Sequence, residues 1–257
     1  MDRNAPIGIF DSGMGGLSVW REVHRLLPNE SIVYLADGKN CPYGDKDPAE
    51  IEALTDAAVQ QLMRRGVKLI VIACNTATAV AIDSLRGRYP IEFVGLEPAV
   101  KPAALSTRSG TIAILATRAS LEGGLFKATA AKYSDKVRIL SAAGEGFVEA
   151  VEQGRESEPE TLELVRASLE PMLAEGADRV VLGCTHYPFL LEAMQRVAGE
   201  RDVEFIDPSQ AVARRVEWLL ERDNLRADRV GVGECEFVTF ADDDYLRRIR
   251  QKAGVER

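Results

Sequence analysis

Short apolar runs rich in β-branched residues recur along the chain, separated by longer stretches whose apolar positions follow helical spacing. The clearest run is Leu69-Ile70-Val71-Ile72-Ala73. A continuous apolar run of strand length reads as a strand covered on both faces, as in a parallel sheet. Cys74 ends it, Asn75 and Thr76 follow as helix-start residues, and an Ala-rich pattern predicts a helix to about Arg86.

The same alternation runs through the chain. Ile7 to Phe10 reads as a strand, Asp11 to Gly16 as a Gly-rich loop, and Leu17 to Leu27 as an amphipathic helix stopped by Pro28. Ser31 to Ala36 is a second strand, and Asp37 opens a polar turn ending in Cys41-Pro42-Tyr43-Gly44. Helical spacing follows from Pro48 to Arg65, closed by Gly66, and Ile91 to Leu96 gives a further strand. A second half begins with strand Thr111 to Leu115, a helix from Ser120 to Tyr133 and strand Val137 to Leu140. A helix from Pro159 to Glu175, strand Arg179 to Gly183, a helix from Pro188 to Val197 and a strand ending at Ile206 complete it. The tail reads as helix Ala211 to Asp223, strand Glu236 to Phe240 and a charged helix.

The halves repeat. Gly66 to Cys74 and Gly176 to Cys184 span the same eight-residue step, each passing from glycine through a strand to cysteine, a polar residue and a helix. Phe93-Val94 before Glu97-Pro98 matches Phe205-Ile206 before Asp207-Pro208. A period of about a hundred residues is too long for a solenoid and points to two copies of one α/β unit. The predicted fold is α/β: two similar open parallel-sheet domains related by pseudo-twofold symmetry, with the active site in the cleft between them. The predicted boundaries are 1–97 plus 210–257 for a discontinuous first domain and 98–209 for the second.

Composition narrows the function. The 257 residues are 46% hydrophobic and 28% charged, an ordinary globular balance with enough chain for two cores. A net charge of -8 without a basic block argues against nucleic acid as the main partner. There is no secretory signal pattern and no membrane-length apolar run, so the expectation is a cytoplasmic protein away from membranes. The four cysteines lie far apart and are expected as free thiols. With only two histidines there is little material for a metal site, and none is expected.

Cys74 and Cys184 each stand at a strand end beside a helix start, which predicts partial exposure and a lowered pKa. Cys41 and Cys235 read as small hydrophobes. The Asp11–Gly16 loop lacks the P-loop lysine and the GxGxxG spacing, and Asp11 would repel a phosphate. Two thiols on opposite faces of an acidic carbon suit racemisation, because one removes the proton and the other delivers one from behind. An unperturbed thiol pKa of about 8.5 leaves both protonation states accessible. Asp11 is the candidate helper for Cys74, and His186 and Glu152 for Cys184. Each has a plainer reading: Asp11 as a helix cap, His186 as a satisfied core histidine, Glu152 as a solvated helix carboxylate, and Pro42 and Tyr43 as turn residues. A regulatory disulfide and a non-catalytic binding protein also remain open at this point.

The segments Gly8-Ile9-Phe10-Asp11-Ser12-Gly13-Met14-Gly15-Gly16-Leu17, Pro42-Tyr43-Gly44, Ala73-Cys74-Asn75-Thr76-Ala77 and Leu182-Gly183-Cys184-Thr185-His186-Tyr187-Pro188 resemble the glutamate racemase family over nearly the whole chain. The resemblance implies cofactor-independent interconversion of L- and D-glutamate for peptidoglycan synthesis, with aspartate as the alternative substrate. It implies Cys74 and Cys184 as the acid/base thiols, assisted by Asp11, Glu152 and His186. Asp11, Ser12, Pro42, Tyr43, Gly44, Asn75, Thr76, Thr117, Ser120, Thr185 and His186 match substrate-binding positions, and a homodimer is implied as the assembly. Ser120 stands where relatives carry threonine, and the stretch Phe147 to Glu152 lacks a proline common before this glutamate. The chain starts at its first strand, without the N-terminal extension of some activator-regulated relatives.

Overall fold

In the computed structural model, residues 2–255 are described, and they divide into two units. One takes in the chain up to Leu96 and again from Ser209, and the other is Glu97–Pro208.

The first unit opens with β1 (Ile7–Asp11), α1 (Leu17–Leu26), β2 (Ile32–Ala36), α2 (Pro48–Met63), β3 (Leu69–Ile72), α3 (Asn75–Arg88) and β4 (Phe93–Gly95). The second follows with α4 (Val100–Ser106), β5 (Thr111–Ala116), α5 (Arg118–Glu122), α6 (Gly124–Ala131), β6 (Arg138–Ala143), α7 (Phe147–Glu152), α8 (Pro159–Ala174) and β7 (Arg179–Gly183). A 3₁₀ turn at Tyr187–Leu190 leads into α9 (Leu191–Ala198) and β8 (Glu204–Ile206). The chain then returns to the first unit with α10 (Ser209–Arg222), β9 (Cys235–Thr239) and α11 (Asp243–Ala253).

Every strand pairing is parallel. Among the described residues the first sheet runs β4-β3-β1-β2-β9 and the second β6-β5-β7-β8. Both are therefore parallel α/β layers, in keeping with the expected fold class. All residues of β1, β2, β3, β5 and β7 are buried, because helices cover both faces of a parallel sheet. That is why these strands read as unbroken apolar runs. In the first unit, Phe10, Leu35, Ile70 and Ile72 pack with Ile51, Leu62, Ala81 and Leu85 from α2 and α3. In the second, Ile112, Ile114 and Val181 pack with Val100, Ala103 and Phe126.

The structure departs from these expectations in four places. The helix from Ser120 to Tyr133 is two helices, split where Gly123 takes an extended conformation before Gly124. Two adjacent glycines have little helical preference to resist the break. The strand from Val137 to Leu140 runs on to Ala143 as β6, the edge strand, whose mixed exposure gave no clear apolar run. Helix α4 was not expected; its Pro102 falls in the first turn, where proline is tolerated. Pro188 begins a 3₁₀ turn before α9 proper.

Candidate active site

Each sheet has one point where the strand order reverses. From β1 the first chain moves outward to β2, and from β1's other side to β3 and β4; from β5 the second moves to β6 on one side and to β7 and β8 on the other. The carboxyl ends flanking such a reversal leave a crevice where open α/β sheets bind ligands. In the first unit these ends carry Asp11 as the last residue of β1, Ser12 directly after it, and Cys74 after β3. In the second they carry Thr117 after β5 and Cys184, Thr185 and His186 after β7.

Asp11 is fully buried. Its Oδ2 accepts the backbone N–H groups of Gly13 at 3.1 Å and Gly16 at 2.9 Å. It therefore anchors the loop into α1, whose own N-cap residue, Gly16, supplies no side-chain cap. A Cβ at Gly16 would stand 2.6 Å from Asp11 Cβ, so the glycine is needed for this approach. The Tyr34 hydroxyl donates to the Gly13 carbonyl at 2.8 Å and fixes the same loop.

Cys74 is the N-cap of α3. Its Sγ accepts the Ala77 N–H at 3.5 Å, and its thiol donates to Ser12 Oγ at 3.5 Å. Asn75 and Thr76 are buried in the first turn, and Asn75 Nδ2 donates to the Leu96 carbonyl at 3.5 Å. Thr78 Oγ1 donates to the Ile72 carbonyl at 3.0 Å and accepts the Leu96 N–H at 3.1 Å, tying α3 to the ends of β3 and β4.

Tyr43 is buried in the core cluster that contains Cys74, and its hydroxyl donates to Asp37 Oδ2 at 2.7 Å. Asp37 is itself fully buried and accepts from Asn40 Nδ2 with both oxygens, each at 3.0 Å. Burial, then the Asp37 hydrogen bond and charge, push the Tyr43 hydroxyl far above the ordinary phenol range. Pro42 and Gly44 flank it half-buried. Asp37 escaped the sequence reading because its partners depend on how the turn folds back, although an acid directly after an apolar strand was the available signal.

In the second unit, Thr117 caps α5: its Oγ1 accepts the Ser120 N–H at 3.2 Å and donates to the buried Ser120 Oγ at 2.9 Å. Cys184 Sγ lies 3.7 Å from His186 Nδ1, and His186 Nε2 lies 2.7 Å from Glu152 Oε1. An ionised Glu152 accepts only, so Nε2 carries the ring proton and Nδ1 presents its lone pair to the thiol. Thr185 and His186 are buried, while the Glu152 side chain is 14% exposed.

The expectation of partly exposed thiols is corrected. Cys74 and Cys184 are each only 6% exposed, since a helix-start position is closed over by its own first turn and by side chains such as Ser12 and His186. Cys41 and Cys235 are the half-buried pair.

Each of the two parallel α/β units thus carries a buried thiol at the strand-order reversal of a doubly wound framework, and in the second the thiol is backed by a histidine–carboxylate pair. The chain belongs to the Asp/Glu/hydantoin racemase family, whose profile matches residues 7–216. A glutamate racemase of Herpetosiphon aurantiacus is 43% identical over 254 residues, covering 99% of this chain and all of that one. A glutamate racemase isoform from Bacillus anthracis superposes with a TM-score of 0.87 at 28% identity, covering 99% of this chain and 96% of that one. The Escherichia coli glutamate racemase, solved with L-glutamate and the activator UDP-MurNAc-Ala, gives 0.85 at 33% identity, with 97% and 95% covered.

Proposed function

We propose that this chain racemises glutamate without a cofactor, with Cys74 and Cys184 as its two acid/base groups. The observation that carries the reading is the line from Cys184 Sγ through His186 to Glu152, because it gives one thiol a proton acceptor already oriented by a carboxylate. The full-length likeness to glutamate racemases supports glutamate over aspartate.

The chemistry balances with protons alone. A thiolate takes the Cα proton, the C–H electron pair stays on Cα, and a thiol gives a proton to the opposite face. The thiol becomes a thiolate, so the groups are set for the reverse reaction. On the first side Cys74 exchanges its proton, with Ser12 in contact and Asp11 fixing the loop that carries Ser12. On the other, Cys184 hands its proton to His186 Nδ1, and Glu152 stabilises the imidazolium. Buried backbone N–H groups at the starts of α3 and α5, with Asn75, Thr76, Thr117, Ser120 and Thr185, would hold the substrate carboxylates. Pro42, Tyr43 and Gly44 would line the same site.

The product D-glutamate would serve peptidoglycan synthesis in the cytoplasm, and the assembly would be a homodimer. Among the described residues no helix is long and apolar enough to cross a membrane.

The test is to incubate the protein with L-glutamate and with L-aspartate and to follow optical rotation, in parallel with deuterium entry at Cα in heavy water. Loss of rotation and Cα labelling with glutamate are expected. Turnover of aspartate alone overturns the substrate, and no labelling with either overturns the enzyme reading.

A further inference from the structure

Thr78 lies one turn beyond Cys74 on α3 and is buried. In the β3–β4 register Ile72 stands opposite Gly95, and the Ile70 N–H donates to the Glu92 carbonyl at 3.0 Å. By the same spacing, the last rung of this parallel ladder would run from the Leu96 N–H to the Ile72 carbonyl. The Thr78 hydroxyl bonds both of those groups, donating to Ile72 at 3.0 Å and accepting from Leu96 at 3.1 Å. Gly95 makes the approach possible, since an added Cβ there would stand 2.6 Å from Thr78 Cγ2 and 2.5 Å from Ile82 Cδ1.

The next link is the Leu96 carbonyl. Leu96 closes the stretch of the first unit that precedes Glu97. Asn75 Nδ2 donates to its carbonyl at 3.5 Å, and Asn75 Oδ1 is buried without a hydrogen-bond partner. Among the described residues, that is the one hydrogen bond of the Asn75 side chain. It sets which way the amide faces, because the reverse orientation would put Oδ1 against the carbonyl oxygen. One Nδ2 proton is used there and the second remains for a ligand. A contact of that length is lost with a small displacement of Leu96, and the Thr78 hydroxyl is what the Leu96 N–H bonds. Thr78 and Asn75 thus grip Leu96 from its two sides, both from the turn of α3 that Cys74 caps.

We propose that Thr78 is a positioning residue: its hydroxyl holds Leu96, and Leu96 holds the Asn75 amide beside Cys74. That Asn75 meets substrate rests on the racemase reading above, whereas the line from Thr78 through Leu96 to Asn75 does not.

The test reads the two separately. In ¹⁵N-labelled protein the Asn75 side-chain amide is identified by its loss in Asn75→Ala, and its hydrogen exchange is measured. In Thr78→Val, which keeps the shape and removes the hydroxyl, that amide is expected to exchange roughly tenfold faster, while KM for glutamate rises roughly 3- to 10-fold with kcat little changed. Thr78→Ser keeps the hydroxyl and should restore both exchange and KM. Thr78→Val combined with Asn75→Ala should have a KM no higher than Asn75→Ala alone, because both changes act on one contact. Should Thr78→Val fail to fold, Thr78→Ala removes the same hydroxyl. An Asn75 amide exchanging at the wild-type rate in the hydroxyl-free variant overturns the inference. So do fully additive KM effects, and so does a Thr78→Ser variant as impaired as the valine one. Faster exchange in a protein with no racemase activity at all would leave the inference standing and overturn the functional reading.

Discussion

His186 Nε2 and Glu152 Oε1 stand 2.7 Å apart, although the two residues are separated by 34 positions and lie on different elements. The contact orients the imidazole so that its other nitrogen faces the Cys184 sulfur. Replacing the carboxylate with an amide keeps the shape and removes the charge that favours an imidazolium. Glu152→Gln is therefore expected to lower kcat/KM about tenfold or more, and His186→Asn by roughly 10² to 10⁴, the range for a positioned acid/base group. Initial rates in both directions by circular dichroism measure this. Wild-type rates in Glu152→Gln would remove the carboxylate from the proton path.

The four cysteines divide by position. Cys74 and Cys184 follow β3 and β7 at the strand-order reversals, whereas Cys41 lies in the turn before Pro42 and Cys235 opens β9 at the sheet's far edge. Cys74→Ala and Cys184→Ala should each lower racemisation by roughly 10⁴-fold or more. Cys41→Ala and Cys235→Ala should leave it largely intact. Substantial turnover after loss of either of the first pair would exclude a two-thiol mechanism.

These placements show what the sequence makes legible. A strand buried on both faces writes itself as Leu69-Ile70-Val71-Ile72, and whatever follows it must sit at the sheet's carboxyl edge, so Cys74, Cys184 and Asp11 are readable from order alone. Helix α4 and the break at Gly123 are not, because Pro102 and the Gly123-Gly124 pair look alike as interruptions while one is tolerated and the other is not. Contacts between distant segments are least readable. Tyr43 reaching Asp37, and Tyr187 meeting Phe147 edge to face, depend on backbone paths that no local pattern encodes.

Tyr43 leads to an alkaline prediction. Burial and the Asp37 carboxylate hold its proton far beyond the ordinary phenol value of 10.0, and burial beside Cys184 does the same for Tyr187. Below about pH 10 the folded and unfolded chains both keep these protons, and stability does not depend on them. Above it the unfolded chain releases them and the folded chain does not, so stability falls as pH rises. Each retained proton contributes a slope of about 1.4 kcal/mol per pH unit. Near-ultraviolet titration should show Tyr43 and Tyr187 silent until the protein unfolds. Tyr43→Phe should make the alkaline loss of stability shallower, and an unchanged slope would contradict the assignment.

The amino end of the first sheet carries a different kind of constraint. Lys68, just before β3, has its side chain wholly buried and its Nζ bonded to Glu30 Oε2, to the Arg3 carbonyl and to the Leu225 carbonyl. Glu30 Oε1 in turn accepts the Ala227 N–H at 2.8 Å. Four separate stretches of chain, around Arg3, Glu30, Lys68 and Leu225–Ala227, thus meet at one ion pair. Burial lowers the Lys68 pKa, and Glu30 opposes that shift, so the pair is worth most when both partners are present. Removing one partner leaves a buried charge without its counterion. Lys68→Met should therefore destabilise the first unit by about 3–5 kcal/mol, while the double variant Lys68→Met/Glu30→Leu should recover much of that loss. Both tryptophans, Trp20 and Trp218, belong to this unit, so their fluorescence during denaturant unfolding reports it alone. Because the pair sits at the opposite sheet end from Cys74, folded Lys68→Met should keep its kcat. A single variant as stable as the wild type, or a double variant no better than the single, would show that the pair does not fasten these segments.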